Sequence, residues 1–227
     1  MNLGTLLHGS SRPASPTGRT IGTPRRYDFV TAVLFAGRRR QSFRDLAVAA
    51  GIRPGDRVLD VGCGTGYFVR MLAEQVGSQG SVVGVDAAPE MVAHAASRSR
   101  SAANVTFEVG SAGALSFPDS SFDVVVSSLT MHHLDQADQL PAVGEMRRVL
   151  KPGGRLLIAE FQAPKGHLWR LLLGPTGLAA MAHAVPHVES LVAEAGFAEI
   201  ERREVPPVLQ YVRATNGLSP GPAASSI

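Results

Sequence analysis

Short apolar runs alternate with helix-period stretches along most of this chain. Val58-Leu59-Asp60-Val61 is apolar but for one acid, and it runs into Gly62-Cys63-Gly64-Thr65-Gly66. Val69, Leu72, Ala73 and Val76 then recur at helical spacing. Ser81–Asp86 reads as a second strand, Val105–Val109 as a third and Phe122–Ser128 as a fourth. Leu140, Val143, Met146 and Leu150 share a helical face, which Lys151-Pro152-Gly153-Gly154 breaks before a fifth strand at Arg155–Glu160. Val188, Leu191, Val192 and Ala195 form a last helical face, ended by Gly196. Runs at 197–204 and 208–214 follow, with Pro206-Pro207 between them. Five β-runs alternating with helices predict an α/β fold: a Rossmann-like, mostly parallel sheet with helices on both faces.

Three stretches leave this rhythm. Residues 1–25 are rich in Ser, Pro, Gly, Thr and Arg without an apolar period, and read as a flexible arm. Residues 163–186 carry Pro164, Gly166, Gly174, Pro175, Gly177 and Pro186 in a Leu/Ala/Met-rich background. This insertion reads either as a helical lid over an apolar substrate or as packing on the sheet. Residues 215–227 read as a tail, leaving 26–214 as one domain.

Composition narrows the class. At 44% hydrophobic and 18% charged residues, the chain is ordinary for a soluble globular protein. No apolar run reaches the roughly 18 residues of a membrane span. A single cysteine excludes an intramolecular disulfide framework and fits a reducing, cytoplasmic setting. Residues 1–40 hold seven arginines and one acid, whereas the remainder is mildly acidic. Such an arm reads as a solvated end, with peripheral membrane contact left open. It lacks the aromatic interleaving of a base-stacking surface.

The candidate chemistry sits at the glycine-rich turn. A strand, a glycine loop and a helix make the unit with which α/β proteins hold nucleotide-like cofactors. Asp86 closes the second strand twenty residues after Gly66, where an acid accepts hydrogen bonds from ribose hydroxyls. The helix behind it opens with Pro89 and Glu90, which suit a helix start. The glycines run Gly-x-Gly-x-Gly, not Gly-x-Gly-x-x-Gly, and Asp60 would repel a pyrophosphate while suiting a cation. These features favour a cationic nucleoside over a dinucleotide.

Four segments, VLDVGCGTGYF, VVGVDAAPEMV, LSFPDSSFDVVVSSLTMHHL and RVLKPGGRLLI, occur in this order. The chain resembles the class I S-adenosylmethionine (SAM)-dependent methyltransferases over roughly residues 40–214. RRYDFVTAVLFAGRRRQSFRDL adds a looser likeness to the ubiquinone/menaquinone-biosynthesis C-methyltransferase branch. The resemblance implies a seven-stranded sheet of order 3-2-1-4-5-7-6, its last two strands an antiparallel hairpin, with SAM as cofactor.

It also implies roles. Asp60 and the Gly62, Gly64 and Gly66 backbone, with Cys63 as a small loop filler, hold the amino-acid end of SAM. Asp86 binds the ribose, and Ala87 and Met91 wall the adenine. Ser111 and Ala112 lie where relatives often carry an acid after glycine, so Ser111 departs from the family there. Ser128 lies beside the sulfonium, and Tyr27 aligns with an aromatic that closes over the cofactor. Each has a plainer reading: Asp60 as a loop cap, Asp86 as a helix cap, Met91 as core, Tyr27 as packing.

Methyl transfer needs positioning first, and a base only where the acceptor must lose a proton. His132 and His133, just past the fourth strand, are the candidates, one of which can equally be structural. His167, His183 and His187 lack the clustered Cys or acids of a metal site, so no metal is expected. The expected partner is a small apolar or aromatic acceptor: a quinone precursor, lipid-like molecule or secondary metabolite. An inactive SAM-binding or partner-binding module is the alternative. Ser127-Ser128-Leu129-Thr130 lacks the Asn/Asp-Pro-Pro-aromatic signature of base N-methylation, which argues against nucleic acid.

Overall fold

The computed structural model describes Phe35 and residues 37–162 and 184–217. The elements, in chain order, are α1 Arg39–Ala49, β1 Arg57–Val61, α2 Tyr67–Val76, β2 Ser81–Asp86, α3 Pro89–Arg98 and β3 Val105–Val109. Then come β4 Phe122–Ser128, a 3-10 turn Met131–His133, α4 Gln136–Val149, β5 Leu150–Phe161, α5 Ala184–Glu194, β6 Ala198–Val205 and β7 Leu209–Thr215. One sheet contains all seven strands in the order β3-β2-β1-β4-β5-β7-β6. β1 to β5 pair in parallel, and β7 pairs antiparallel with both β5 and β6. The fold class and strand order expected from the sequence are therefore those observed.

The central strands are buried because each is covered on both faces, which is why β1 and β4 read as nearly unbroken apolar runs. On one face α2 lays Phe68, Val69, Leu72 and Val76 against Val58, Val124 and Val126. Each such side chain contributes about 1.5–3 kcal/mol of burial. α1 joins this face through Phe43, whose ring meets Phe68 edge-on at 5.1 Å. On the other face α4 and α5 bring Val143, Met146, Val188, Leu191 and Val192 onto Leu59, Val125, Leu156 and Ile158.

Three boundaries differ from the sequence reading. Leu150 opens β5 instead of closing α4, and pairs with Phe122. Pairing resumes at Arg155 with Val124, so Lys151–Gly154 bulge out of the ladder. Asn216 stabilises that bulge: its amide donates to the Leu150 and Lys151 carbonyls at 2.9 and 3.2 Å. The second difference follows, because β7 runs through Thr215 and Asn216 is buried, although both had read as tail. Third, Ala184–Pro186 belong to the first turn of α5, not to the insertion. The proposed arm, Tyr27, and residues 163–183 of the insertion lie outside the described residues.

Candidate functional site

The C-terminal ends of β1 to β5 face one edge of the sheet. Strand order reverses between β1 and β4, and this is where open α/β sheets bind ligands. The residues singled out in the sequence collect along this edge in three connected groups.

The first group is the glycine loop and two acids. Asp60 occupies the last turn of β1 between Gly84 and Val126, and is fully buried. Neither of its carboxylate oxygens has a hydrogen-bond partner. Burial, and then the charge of Asp86, push its pKa from 3.8 up to about 8. Asp86 is also raised, by burial first, while two hydrogen bonds from Ala88 and Gly64 N–H groups oppose the shift. These bonds measure 2.9 and 2.8 Å, and each carboxylate oxygen keeps a lone pair for a further donor.

The glycine loop turns most of its amides inward. The Gly62 and Cys63 N–H groups donate to Val85 O at 2.7 and 2.9 Å, and Gly66 N–H donates to Cys63 O. Gly64 N–H goes to Asp86. These four amides are engaged, and the loop borders an unpaired carboxylate, which would repel a pyrophosphate. Two glycines are required by contact. A Cβ on Gly62 would sit 2.1 Å from Thr130 Oγ1, and one on Gly66 would sit 2.9 Å from Ala95 and Phe107. Gly64, at φ +52°, faces open space. Cys63 is buried, its thiol pushed well up by burial first and then by Asp60 and Asp86, so it is a packing residue.

The second group lies beyond β2 and β3. Ala87 is half-buried and Met91 is buried at the start of α3. Gly110 N–H donates to Asp86 O at 3.0 Å, which brings the Gly110-Ser111-Ala112 turn beside Asp86. The Ser111 hydroxyl accepts from Gly113 N–H at 3.3 Å, and Ala112 packs on the core.

The third group extends β4. Ser128 ends the strand half-buried, and Leu129 follows with φ +60°. The Thr130 hydroxyl lies within 3.4 Å of the Val61, Gly62 and Ser128 carbonyls, tying this segment to the glycine loop. The His132 and His133 rings lie with centroids 4.0 Å apart, tilted by 44°. His132 Nδ1 lies 2.6 Å from Glu160 Oε2, and Met131 N–H donates to Glu160 Oε1 at 2.7 Å. Glu160 is the residue that the sequence reading missed. It had read as the last position of a strand, yet a lone acid in the apolar run Leu156–Phe161 has to find a partner when buried. Among the described residues, no group of three His, Cys, Asp or Glu is placed to hold a metal. His187 is half-buried, and His167 and His183 lie outside the described residues.

This geometry agrees with what related proteins are. A family model described as a methyltransferase domain matches residues 58–154. The ubiquinone/menaquinone biosynthesis C-methyltransferase of Ectopseudomonas mendocina is 39% identical over 142 residues, 61% of this chain and 55% of that protein. The arsenite methyltransferase of Halobacterium salinarum is 33% identical over 157 residues, 67% of this chain and 40% of that protein. The chain thus spans about half the length of these relatives. Among solved structures, a SAM-dependent methyltransferase from Aquifex aeolicus superposes with a TM-score of 0.69 at 24% identity, over 82% of this chain and 97% of that one. A SAM-dependent methyltransferase domain thus lies within this chain, and SAM is the cofactor that goes with it. The residues fit it: Asp60 is a buried carboxylate without a hydrogen-bond partner, and each Asp86 oxygen keeps a lone pair for a further donor.

Proposed function

We propose that this chain transfers a methyl group from SAM to a small apolar or aromatic acceptor, and that the acceptor is a reduced quinone precursor. The observation that carries the cofactor half is Asp60: a fully buried carboxylate with no partner, beside a second acid at the strand-order reversal. Buried acids are normally paired, so an unpaired one at a ligand edge is a place for a cationic group. Asp60 would receive the α-ammonium group and Asp86 the ribose diol. Ala87, Met91, Ser111 and Ala112 would border the adenine, and Ser128 the reacting end. SAM supplies a methyl carbon already activated by its sulfonium. The chain's own task is to hold the acceptor in line with that carbon and to exclude water. His132 and His133, beyond β4, would meet the acceptor.

The quinone preference rests on likeness to the C-methyltransferase branch. The arsenite methyltransferase among the relatives marks how widely acceptors vary on this fold. No helix among the described residues is long and apolar enough to cross a membrane.

Calorimetric titration with SAM and with NAD, for wild type and Asp86→Ala, tests the cofactor half. Micromolar SAM binding that the variant loses, with no heat from NAD, is the expected result. NAD binding, or SAM binding indifferent to Asp86, would overturn it. Incubation with SAM and a short-tailed demethylmenaquinol, followed by mass spectrometry, tests the acceptor. SAM binding without product would leave the partner-binding module as the better account.

A further inference from the structure

Glu160 and His132 form a pair whose two ends differ. Glu160 ends its course in β5 with its side chain 1% exposed, while the side chain of His132 is 27% exposed. A carboxylate taken out of water costs several kcal/mol unless charge and hydrogen bonds compensate. Both Glu160 oxygens are compensated, one by the Met131 N–H and one by the imidazole. A brace for the turn at Met131–His133 would need only a neutral acceptor, such as a glutamine amide oxygen. The charge therefore calls for an explanation beyond the brace.

The chemistry of the pair supplies one. An ionised carboxylate only accepts hydrogen bonds, so the 2.6 Å contact places the proton on Nδ1. In the neutral ring the lone pair is then on Nε2, the nitrogen not held by Glu160. We propose that Glu160 is a positioning residue that makes His132 Nε2 the proton acceptor for the methyl-accepting molecule, which is therefore a hydroxyl-bearing ring or enol. This rests on the methyltransferase reading above and names the residue that sets its base.

The step balances. The acceptor's O–H bond breaks and an N–H bond forms at Nε2. The electron pair left on oxygen raises the electron density of the acceptor, through the ring where carbon is the site attacked. A bond from the acceptor to the methyl carbon forms as the sulfur–methyl bond breaks, giving a neutral thioether. The ring proton of a carbon acceptor is lost as the hydroxyl is restored, and one proton per turnover reaches solvent. No oxidant or reductant is consumed.

The surroundings support this role. His132 lies at the same sheet edge as Asp60 and Asp86, and β4 carries it there: Ser128 pairs with Ala159, the residue before Glu160. Among the described residues, the titratable groups placed against His132 are Glu160 and the tilted His133 ring. Burial disfavours its imidazolium, but the charge and hydrogen bond of Glu160 outweigh that, and its pKa stands above the ordinary 6.5. A stronger base suits a phenolic proton better.

Two measurements test the proposal. With demethylmenaquinol as acceptor, His132→Gln should lose about 100-fold or more in kcat and Glu160→Gln about 10-fold, with KM for SAM unchanged. The rise of kcat with pH should move to lower pH in Glu160→Gln. Wild-type kcat and an unmoved limb in that variant would reduce Glu160 to a brace. Nitrogen NMR of the histidine rings is independent of any acceptor. It should give His132 protonated at Nδ1, with a titration midpoint that falls in Glu160→Gln. An Nε2-protonated ring, or the same midpoint in both proteins, would overturn the proposal. If quinol methylation fails while SAM binds, the acceptor reading falls and the NMR alone decides the pair. Should Glu160→Gln not fold, the wild-type tautomer and the His132→Gln kinetics decide it.

Discussion

At the scale of single residues, Asp60 connects cofactor binding to folding. Its folded pKa of about 8 lies far above the ordinary 3.8, so between those values the native state holds a proton that the unfolded chain has released. Stability contributed by that proton is present below pH 4 and declines as pH rises toward 8. Thermal melting of the ligand-free protein should therefore show a midpoint falling from pH 5 to pH 8. Asp60→Asn should flatten much of that slope, while Asp86, shifted the same way, keeps a remainder. A cation seated on Asp60 needs it ionised. At pH 7, then, SAM binding should release protons, read as a dependence of calorimetric heat on buffer ionisation enthalpy. Equal heats in phosphate and Tris would show that Asp60 is already ionised. The sequence singled out Asp60 as a candidate, because an acid inside an apolar run is unusual, and left a loop cap as its plainer reading; its oxygens cap nothing. Its isolation was not legible, since that depends on Gly84 and Val126, brought alongside by pairing. Glu160 was missed for the same reason: its partners, 28 and 29 residues away in sequence, meet it only once β4 and β5 are in register.

At the scale of elements, the glycine loop is held from outside by Thr130. The sequence explains why the loop has glycines, but not why Gly62 and Gly64 should differ. Gly62→Ala drives a methyl into Thr130, whereas Gly64→Ala meets nothing. Both lie at positive φ, which costs an alanine about 1–2 kcal/mol. Urea unfolding should place Gly64→Ala near that cost and Gly62→Ala well beyond it. Adding Thr130→Ala to Gly62→Ala should cost less than the sum of the single variants. Strict additivity would mean that the two side chains do not press on each other. The bulge in β5 makes the same point about legibility. Lys151-Pro152-Gly153-Gly154 carries every local signal of a chain stop, yet Asn216, 65 residues beyond Lys151, ties the bulge to the end of β7. Asn216→Ala leaves the Leu150 and Lys151 carbonyls without this donor and should destabilise the protein by about 1–3 kcal/mol in the same assay.

At the scale of the whole molecule, one sheet edge carries two groups of polar side chains on adjacent strand pairs. β1 and β2 bring the acids and the glycine loop, while β4 and β5 bring the histidines and Glu160, with Thr130 at the seam. This layout explains why strand order could be read from the sequence while the pairing of functions could not. Alternation of runs points to a parallel sheet, the family resemblance supplies the strand order, and that order puts β4 beside β1. Which side chains then touch is settled by register alone. If the halves act separately, they can be disabled separately. Saturation at about 100 times Kd stabilises the native state by about 2.7 kcal/mol, which raises the melting temperature of a domain this size by roughly 5–10 °C. Asp86→Ala should abolish that rise, and Glu160→Gln and His132→Gln should keep it while losing turnover. Loss of the SAM-induced rise in Glu160→Gln would mean that the buried acid of β5 supports the cofactor side as well. The proton-accepting pair would then be part of a single network running from β2 to β5 through Thr130.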